Sequence, residues 1–318
     1  MSTLSTVEND EAWDEEEQTE TVLDEPVEEP APRFATFGPK WIAGTAVAWV
    51  LTTALCFVLV TYALGPMLAN NDQRAALADL KGEIAEAYGA TRTLLGAAPV
   101  TKPPEFGSPV AILEIPKLNL QQVVLEGVTP EQTASGAGHV PGTSRPGQAG
   151  NSGIVGRYSG YGAPFSRLGE LAAGDQIVVA TTQGKSVYTV TGTATREFDE
   201  DGDYGKSQDD RLTLVTSASW WPGSASSATV VTAVIEGKPF RPTPQNGRAD
   251  AQDGRTGDPS AWAQLVLAFG GFVAVAAGAT LLYRRWRPVS TYVVTTPALL
   301  VLAVLAATAV WRLLPAWA

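Results

Sequence analysis

Proton transfer and nucleophilic attack need particular side chains, and this chain is sparing with them. It has one histidine, His139, and one cysteine, Cys56. Imidazole is the side chain whose ordinary pKa lies nearest neutral pH, so His139 is the one ordinary proton carrier. Cys56 sits inside an apolar stretch, where a thiol meets no aqueous substrate, and a lone cysteine forms no disulfide within the chain. The remaining candidate is a hydroxyl, Ser217, which ends the apolar run Arg211-Leu212-Thr213-Leu214-Val215-Thr216-Ser217. A serine attacks a carbonyl only when a neighbouring base takes its proton. A Ser217–His139 dyad is one reading; a turn histidine bonded to backbone is the other.

Two further groups have spacing that suggests binding. Asp199, Asp201 and Asp203 alternate as the acids of a calcium loop do, but Tyr204 stands where such a loop needs glycine and Asp210 where it needs glutamate. They remain a weak Ca candidate, with no metal or cofactor expected. Trp220-Trp221-Pro222-Gly223 directly follows the Ser217 run. Paired tryptophans suit a partner or bilayer-interface contact, or packing under a domain rim.

The elements that must position these groups follow from hydrophobic period. Stretches 41–64, 261–283 and 291–313 are apolar, lack acidic residues and hold no Lys or Arg before their ends; about 20 such residues match a bilayer's hydrocarbon thickness. Three transmembrane helices are expected. Between the first two, Leu77, Leu80, Ile84 and Tyr88 recur at spacings of three and four, predicting a juxtamembrane helix over 68–96. The breaker cluster Pro99, Pro103, Pro104 and Gly107 ends it. From Pro109 the period becomes two, with strands predicted at Val110–Ile115, Leu120–Leu125, Gly153–Val155, Gln176–Ala180, Ser186–Ala194, Leu212–Thr216 and Thr229–Ile235. An all-β barrel or sandwich over 108–237 is expected. The Pro- and Gly-rich stretch 238–260 reads as a flexible linker.

Charge is concentrated at one end. Residues 1–33 carry twelve acids against Arg33, so this segment holds the whole formal charge of −11 and the remainder is neutral. The charge balance therefore supports neither a global argument about substrate charge nor a nucleic-acid role. A segment so charged and poor in apolar residues is expected to be a disordered tail. Arg33 and Lys40 precede the first apolar stretch, and Arg284, Arg285 and Arg287 follow the second. By the positive-inside rule the N-terminus is cytoplasmic and the β domain extracytoplasmic, in the cell membrane.

Within the β domain, Gly138-His139-Val140-Pro141-Gly142-Thr143, Pro146-Gly147, Gly150-Asn151-Ser152-Gly153-Ile154-Val155-Gly156 and Tyr161-Gly162-Ala163-Pro164-Phe165 occur in order, followed by Leu168, Leu171 and Gly174-Asp175-Gln176-Ile177. This series resembles the core of the sortases, most like actinobacterial members of classes D and E, over about Val110–Ile235. The resemblance implies a sortase-like β-barrel and a Cys, His and Arg triad that cleaves and re-forms peptide bonds in cell-wall protein sorting. It also implies where that triad belongs. The histidine position is Arg157, the cysteine position Ser217 and the arginine position Ala228; no Arg or Lys lies between Arg211 and Lys238 to stand in for the last. An arginine does not exchange protons near neutral pH, and serine without a base is a poor nucleophile.

Three losses on one scaffold read as a pseudo-sortase, a binding or accessory protein in surface-protein sorting or assembly. Its groove-binding candidates are Arg157, Ser217, Trp220 and Trp221. Its partners would be a peptide sorting signal, a surface protein or an active sortase. Two alternatives stand beside this: a transpeptidase or acyl transferase using Ser217, and a structural membrane component acting through its acidic tail.

Overall fold

The computed structural model describes residues 39–92, 102–219, 226–247, 254–283 and 288–318. The acidic tail, Trp220, Trp221 and the arginines at 284, 285 and 287 lie outside the described residues. The chain enters as α1 (Pro39–Leu59), a π turn (Val60–Leu64) and α2 (Gly65–Arg92). In place of two separated helices there is one helical path with a wide turn inserted. That turn falls just before Pro66, whose ring and missing N–H would disrupt a regular α-turn.

The lower part of this path is apolar and faces outward, with Val50 at 68% and Leu51 at 64% exposure. The upper part packs on the β domain. Leu80 is buried against Ile112, Val123 and Leu125, with Leu77 and Ile84 alongside, so the predicted stripe does face a neighbour. Gln73 fixes its height: its Oε1 accepts from Val123 N at 2.7 Å, and its Nε2 donates to Ser135 O at 2.8 Å.

The β domain is a closed eight-stranded barrel. Its strands are β1 (Pro109–Ile115), β2 (Leu120–Glu126), β3 (Ala137–His139), β4 (Asn151–Val155), β5 (Gln176–Thr181), β6 (Gly184–Glu197), β7 (Arg211–Ser217) and β8 (Ser227–Glu236), in the order β1-β2-β3-β4-β7-β8-β6-β5. The pairs β2–β3 and β4–β7 are parallel and the others antiparallel. The period of two predicts every strand but β3, whose three residues are too few to show one. Short helices α3 (Pro130–Ser135) and α4 (Glu200–Tyr204) fill connections; a Thr129–Gln132 capping box starts α3.

Alternation sorts side chains between the two faces of the wall. Ile154, Leu212, Leu214, Val231 and Ala233 point inward with Leu113, Ile115, Phe165 and Ile177 into the barrel core. Each such leucine contributes about 2 kcal/mol by leaving water. Val155, Val215, Ala228 and Val230 belong to a second apolar cluster, with Val128, Val140, Phe198, Tyr204 and Trp317. This outer face carries the site.

Of the stretch expected as a flexible linker, residues 238–247 are laid against the barrel. Phe240 N donates to Gly147 O at 2.8 Å, and its ring covers Gly147 and Gly184, where any side chain would strike it. Asn246 Nδ2 donates to Pro104 O and to Glu126 Oε1, each at 2.9 Å. Further on, Asp258 pairs with Arg312 near the end of the last helix.

Helices α5 (Ala261–Tyr283) and α6 (Pro288–Leu313) pack antiparallel, with Gly271 open to Leu302. The start of α5 and the end of α6 therefore lie on the barrel's side. Trp311 of α6 stacks on Phe57 at 5.9 Å and donates its indole N–H to Thr61 Oγ1 at 2.8 Å in the π turn. Among the described residues, three helices are long and apolar enough to cross a membrane.

Candidate functional site: a capped groove on β4, β7 and β8

The sheet register brings Arg157, Ser217 and Ala228 together. β4 and β7 run parallel with Val155 opposite Val215, and Gly156 N donates to Val215 O at 3.1 Å, so Arg157 and Ser217 leave adjacent strand ends. β8 runs back against β7 with Ala228 opposite Ser217. Arg157, Ser217 and Ala228 are at most 1% exposed.

Arg157 is turned into the protein. Its Nη2 donates to Pro130 O at 2.9 Å, and its guanidinium lies 5.1 Å from the Tyr161 ring and 5.7 Å from that of Trp311. Nε and Nη1 are buried without a hydrogen-bond partner among the described residues. Burial pushes its pKa down to about 10, offset in part by Tyr161. It remains protonated at neutral pH and takes no proton there. The loop that brings Tyr161 over it is left-handed at Gly160, Tyr161, Gly162 and Ala163 in succession. At the two non-glycine residues that geometry costs about 1 kcal/mol each. Beside Arg157 is a cavity of ≈ 230 Å³, lined among others by Asp72, Glu131, Tyr161 and Trp311.

Ser217 Oγ donates to Ser219 O at 3.1 Å and accepts from Ser219 N at 3.3 Å. The hydroxyl is thus engaged with its own turn. His139 does not address it: its ring nitrogens meet Glu126 Oε2 at 2.8 Å, Ser144 O at 2.9 Å and Thr143 Oγ1 at 3.1 Å. The histidine is tied into the barrel wall as the backbone-bonded reading has it, with a carboxylate added.

The His139–Glu126 pair is buried on both sides. Burial alone would raise the Glu126 pKa, but the hydrogen bond and charge of His139, then Asn246 and Arg145, hold it below its ordinary 4.5. A carboxyl with a depressed folded pKa stabilises the fold above its unfolded value, and the contribution is lost as pH falls through the folded one. Glu126→Gln is therefore expected to cost about 3 kcal/mol at pH 7, and to flatten the loss of stability below about pH 4.5 in acid melts followed by circular dichroism. An equal acid slope in both proteins would refute this role.

The acidic loop does not gather its carboxylates. Asp203 pairs with Arg196 and accepts from Asp199 N at 3.2 Å. The described residues hold no group of three or more metal-ligating side chains.

The groove over these positions is filled by a segment that sequence reasoning left unassigned. After α6, Leu314–Ala318 folds back onto the barrel, and Trp317, fully buried, joins Val155, Val215, Ala228 and Val230 in the outer apolar cluster. The Trp317 carbonyl accepts from Tyr158 N at 3.0 Å and Ser217 N at 3.4 Å, and its N–H donates to Gly254 O at 3.1 Å. Gly254, at φ +89°, leaves room: a Cβ there would lie 3.0 Å from Val155 and 3.3 Å from Trp317. The sequence signal is Pro315, which stops the helix two residues before a tryptophan.

Comparison with known proteins agrees with the barrel. Residues 113–236 match the family model described as a sortase domain. A sortase D of Bacillus subtilis (strain 168) is 31% identical over 97 residues, 30% of this chain and 48% of that protein, so the chain spans about half the length of the curated relative it matches. Among solved structures, sortase E from Streptomyces avermitilis is 27% identical, with a TM-score of 0.37 over 43% of this chain and 93% of that one. A Clostridium perfringens sortase D5 transpeptidase is 20% identical, with a TM-score of 0.43 over 52% and 99% respectively. Residues 113–236 are thus similar to a sortase domain and lie within the closed barrel, and among the described residues three helices are long and apolar enough to span a membrane.

Proposed function

We propose that this chain is a pseudo-sortase: a membrane-anchored domain that holds a peptide in its groove without cutting it, serving as a binding or accessory protein in surface-protein sorting or assembly. The observation that carries the reading is the set Arg157, Ser217 and Ala228 at the joined ends of β4, β7 and β8. Among the described residues no histidine faces Ser217, because both nitrogens of His139 are engaged elsewhere. Without a proton acceptor the hydroxyl is not activated, and without an acid the leaving amine is not protonated.

The end of α6 lies by the barrel and pairs with Asp258 just before α5, while in sequence Arg284, Arg285 and Arg287 come between the end of α5 and the start of α6. The positive-inside rule then supports an extracytoplasmic barrel and a cytoplasmic N-terminus. The partner on this reading is a surface-protein peptide or an active sortase.

Incubating the full chain in detergent with sorting-signal peptides and an amine acceptor is expected to give no cleavage or ligation by mass spectrometry. Turnover that disappears in Ser217→Ala would overturn the reading in favour of a serine transpeptidase.

A further inference from the structure

The cavity beside Arg157 is separate from the groove: Ser217, Ala228 and Trp317 are not among the residues that line it. Its walls come from α2, α3, α6 and the loop that carries Arg157 and Tyr161. At ≈ 230 Å³ it is several times the ~30 Å³ that a water occupies in the liquid, so it has room for a polar group larger than one bridging water. Arg157 is 1% exposed, and its Nε and Nη1 have no hydrogen-bond partner among the described residues; Nε of Arg312, in the same wall, has none either. Buried donors without partners cost stability. The rings of Tyr161 and Trp311 offer the guanidinium their faces and no acceptor oxygen in the plane of its N–H groups. Spare guanidinium donors of this kind suit a phosphate.

Placement on the helices narrows the source of that phosphate. Along the chain leading up to the cavity, Tyr62, Leu64, Met67 and Leu68 are exposed, as are Val301 and Leu305 on α6. Asn70, Asn71 and Asp72 then follow on the first path and Arg312 on the second. Both helices thus pass from apolar to polar surface at the cavity, as they would where a bilayer presents its phosphates, and tryptophan, here Trp311, favours that level. Asp72 and Glu131 also line the cavity, exposed where Arg157 is buried. Carboxylates accept from a cation and repel an anion, so they ask for an ammonium beside the phosphate. An ethanolamine headgroup carries both.

We propose that this cavity is a headgroup site for an ethanolamine phospholipid, its phosphate held by Arg157 and Arg312 and its ammonium by Asp72 and Glu131. The site gives a reason for keeping a buried charge that costs the fold stability: the lipid phosphate supplies the partner that the protein withholds. The headgroup also joins α2, α3 and α6, and so fixes the barrel against the bilayer surface. None of this depends on whether the groove binds or cuts a peptide.

The test uses the full chain in dodecyl maltoside micelles, with native mass spectrometry reading its affinity for dioleoyl phosphatidylethanolamine, phosphatidylcholine and phosphatidylglycerol. The ethanolamine lipid is expected to bind about tenfold more tightly than either of the others, because choline has no N–H for the two acids and glycerol carries no cation. Arg157→Met should weaken the ethanolamine lipid about tenfold while melting no lower than the unsubstituted chain. Glu131→Gln, at an exposed position, should lose most of the preference for ethanolamine over glycerol and keep its melting temperature. Equal affinity for the three lipids, a preference for phosphatidylglycerol, or an undiminished ethanolamine preference in Arg157→Met overturns the proposal. If Arg157→Met does not fold, Glu131→Gln decides on the same criterion. Inorganic phosphate and glycerophosphoethanolamine are the soluble competitors: displacement of the lipid by either at concentrations equal to the lipid's own overturns the proposal, since a free anion is then the occupant.

Discussion

Gly138→Ala is expected to lower barrel stability by about 3 kcal/mol, with a fall in Tm on the order of 10 °C for a domain of this size. The reason is backbone against backbone. A Cβ at 138 would lie 2.2 Å from the Gly127 carbonyl oxygen and 3.0 Å from Val128 Cγ1. Gly127 cannot retreat, since its N–H is bonded to His139 O at 2.9 Å. Relief would require β3 to part from β2, which would separate His139 from Glu126 and open the wall beside the groove. Gly192→Ala is the control. Nothing lies within 4 Å of its Cβ position, and alanine there should leave the melt unchanged to within about 0.5 kcal/mol. Equal transitions for the two variants, measured by calorimetry, would show that the close approach at 138 is not what limits the barrel.

Arg157→Met is expected to stabilise the fold, which few substitutions of a fully buried residue do. The guanidinium is charged in a setting that lowers its pKa from 12.5 to about 10 through burial. At ~1.36 kcal/mol for each tenfold change in proton affinity, the charge costs the fold about 3 kcal/mol at neutral pH. The sign follows from the depressed folded pKa of a base: the penalty is present at every pH below about 10 and eases only as pH rises above it. Methionine keeps an unbranched apolar stem against Tyr161 and Trp311 and removes the charge. It gives up the hydrogen bond to Pro130 O, worth about 1 kcal/mol, and the ring contacts. A net gain of about 1 kcal/mol remains, read by urea denaturation in detergent. A loss of 2 kcal/mol or more would mean that the ring contacts outweigh the burial penalty.

How much of this was legible from residues alone divides by range. Strands β1, β2, β4, β5, β6, β7 and β8 were readable because alternation is local: the residues that declare Leu212–Thr216 a strand are its own. β3 was not, since a three-residue strand exists through its neighbours on both sides. The apolar helices were readable by length and composition, whereas the joining of α1 to α2 through a π turn depends on how one helical turn accommodates Pro66. Residues 238–247 are rich in proline and polar groups, so their composition argues for freedom. Their partners, Gly147, Gln148, Gln183 and Glu126, lie many residues earlier in the chain.

The site divides the same way. Which residue types stand at 157, 217 and 228 is a matter of sequence, and with it the chemistry denied to them: no histidine or cysteine is present to supply a base or thiolate there. That Arg157 turns inward onto Tyr161 and Trp311, that His139 is bound to Glu126, and that Trp317 lies over Ser217 were decided by tertiary structure. Each of these contacts joins segments brought together by barrel closure or by the return of α6, and no local period records such a meeting. Sequence by itself determined which residue types stand at 157, 217 and 228; only the folded chain, by bringing residues 314–318 back across the barrel wall, decided what covers them.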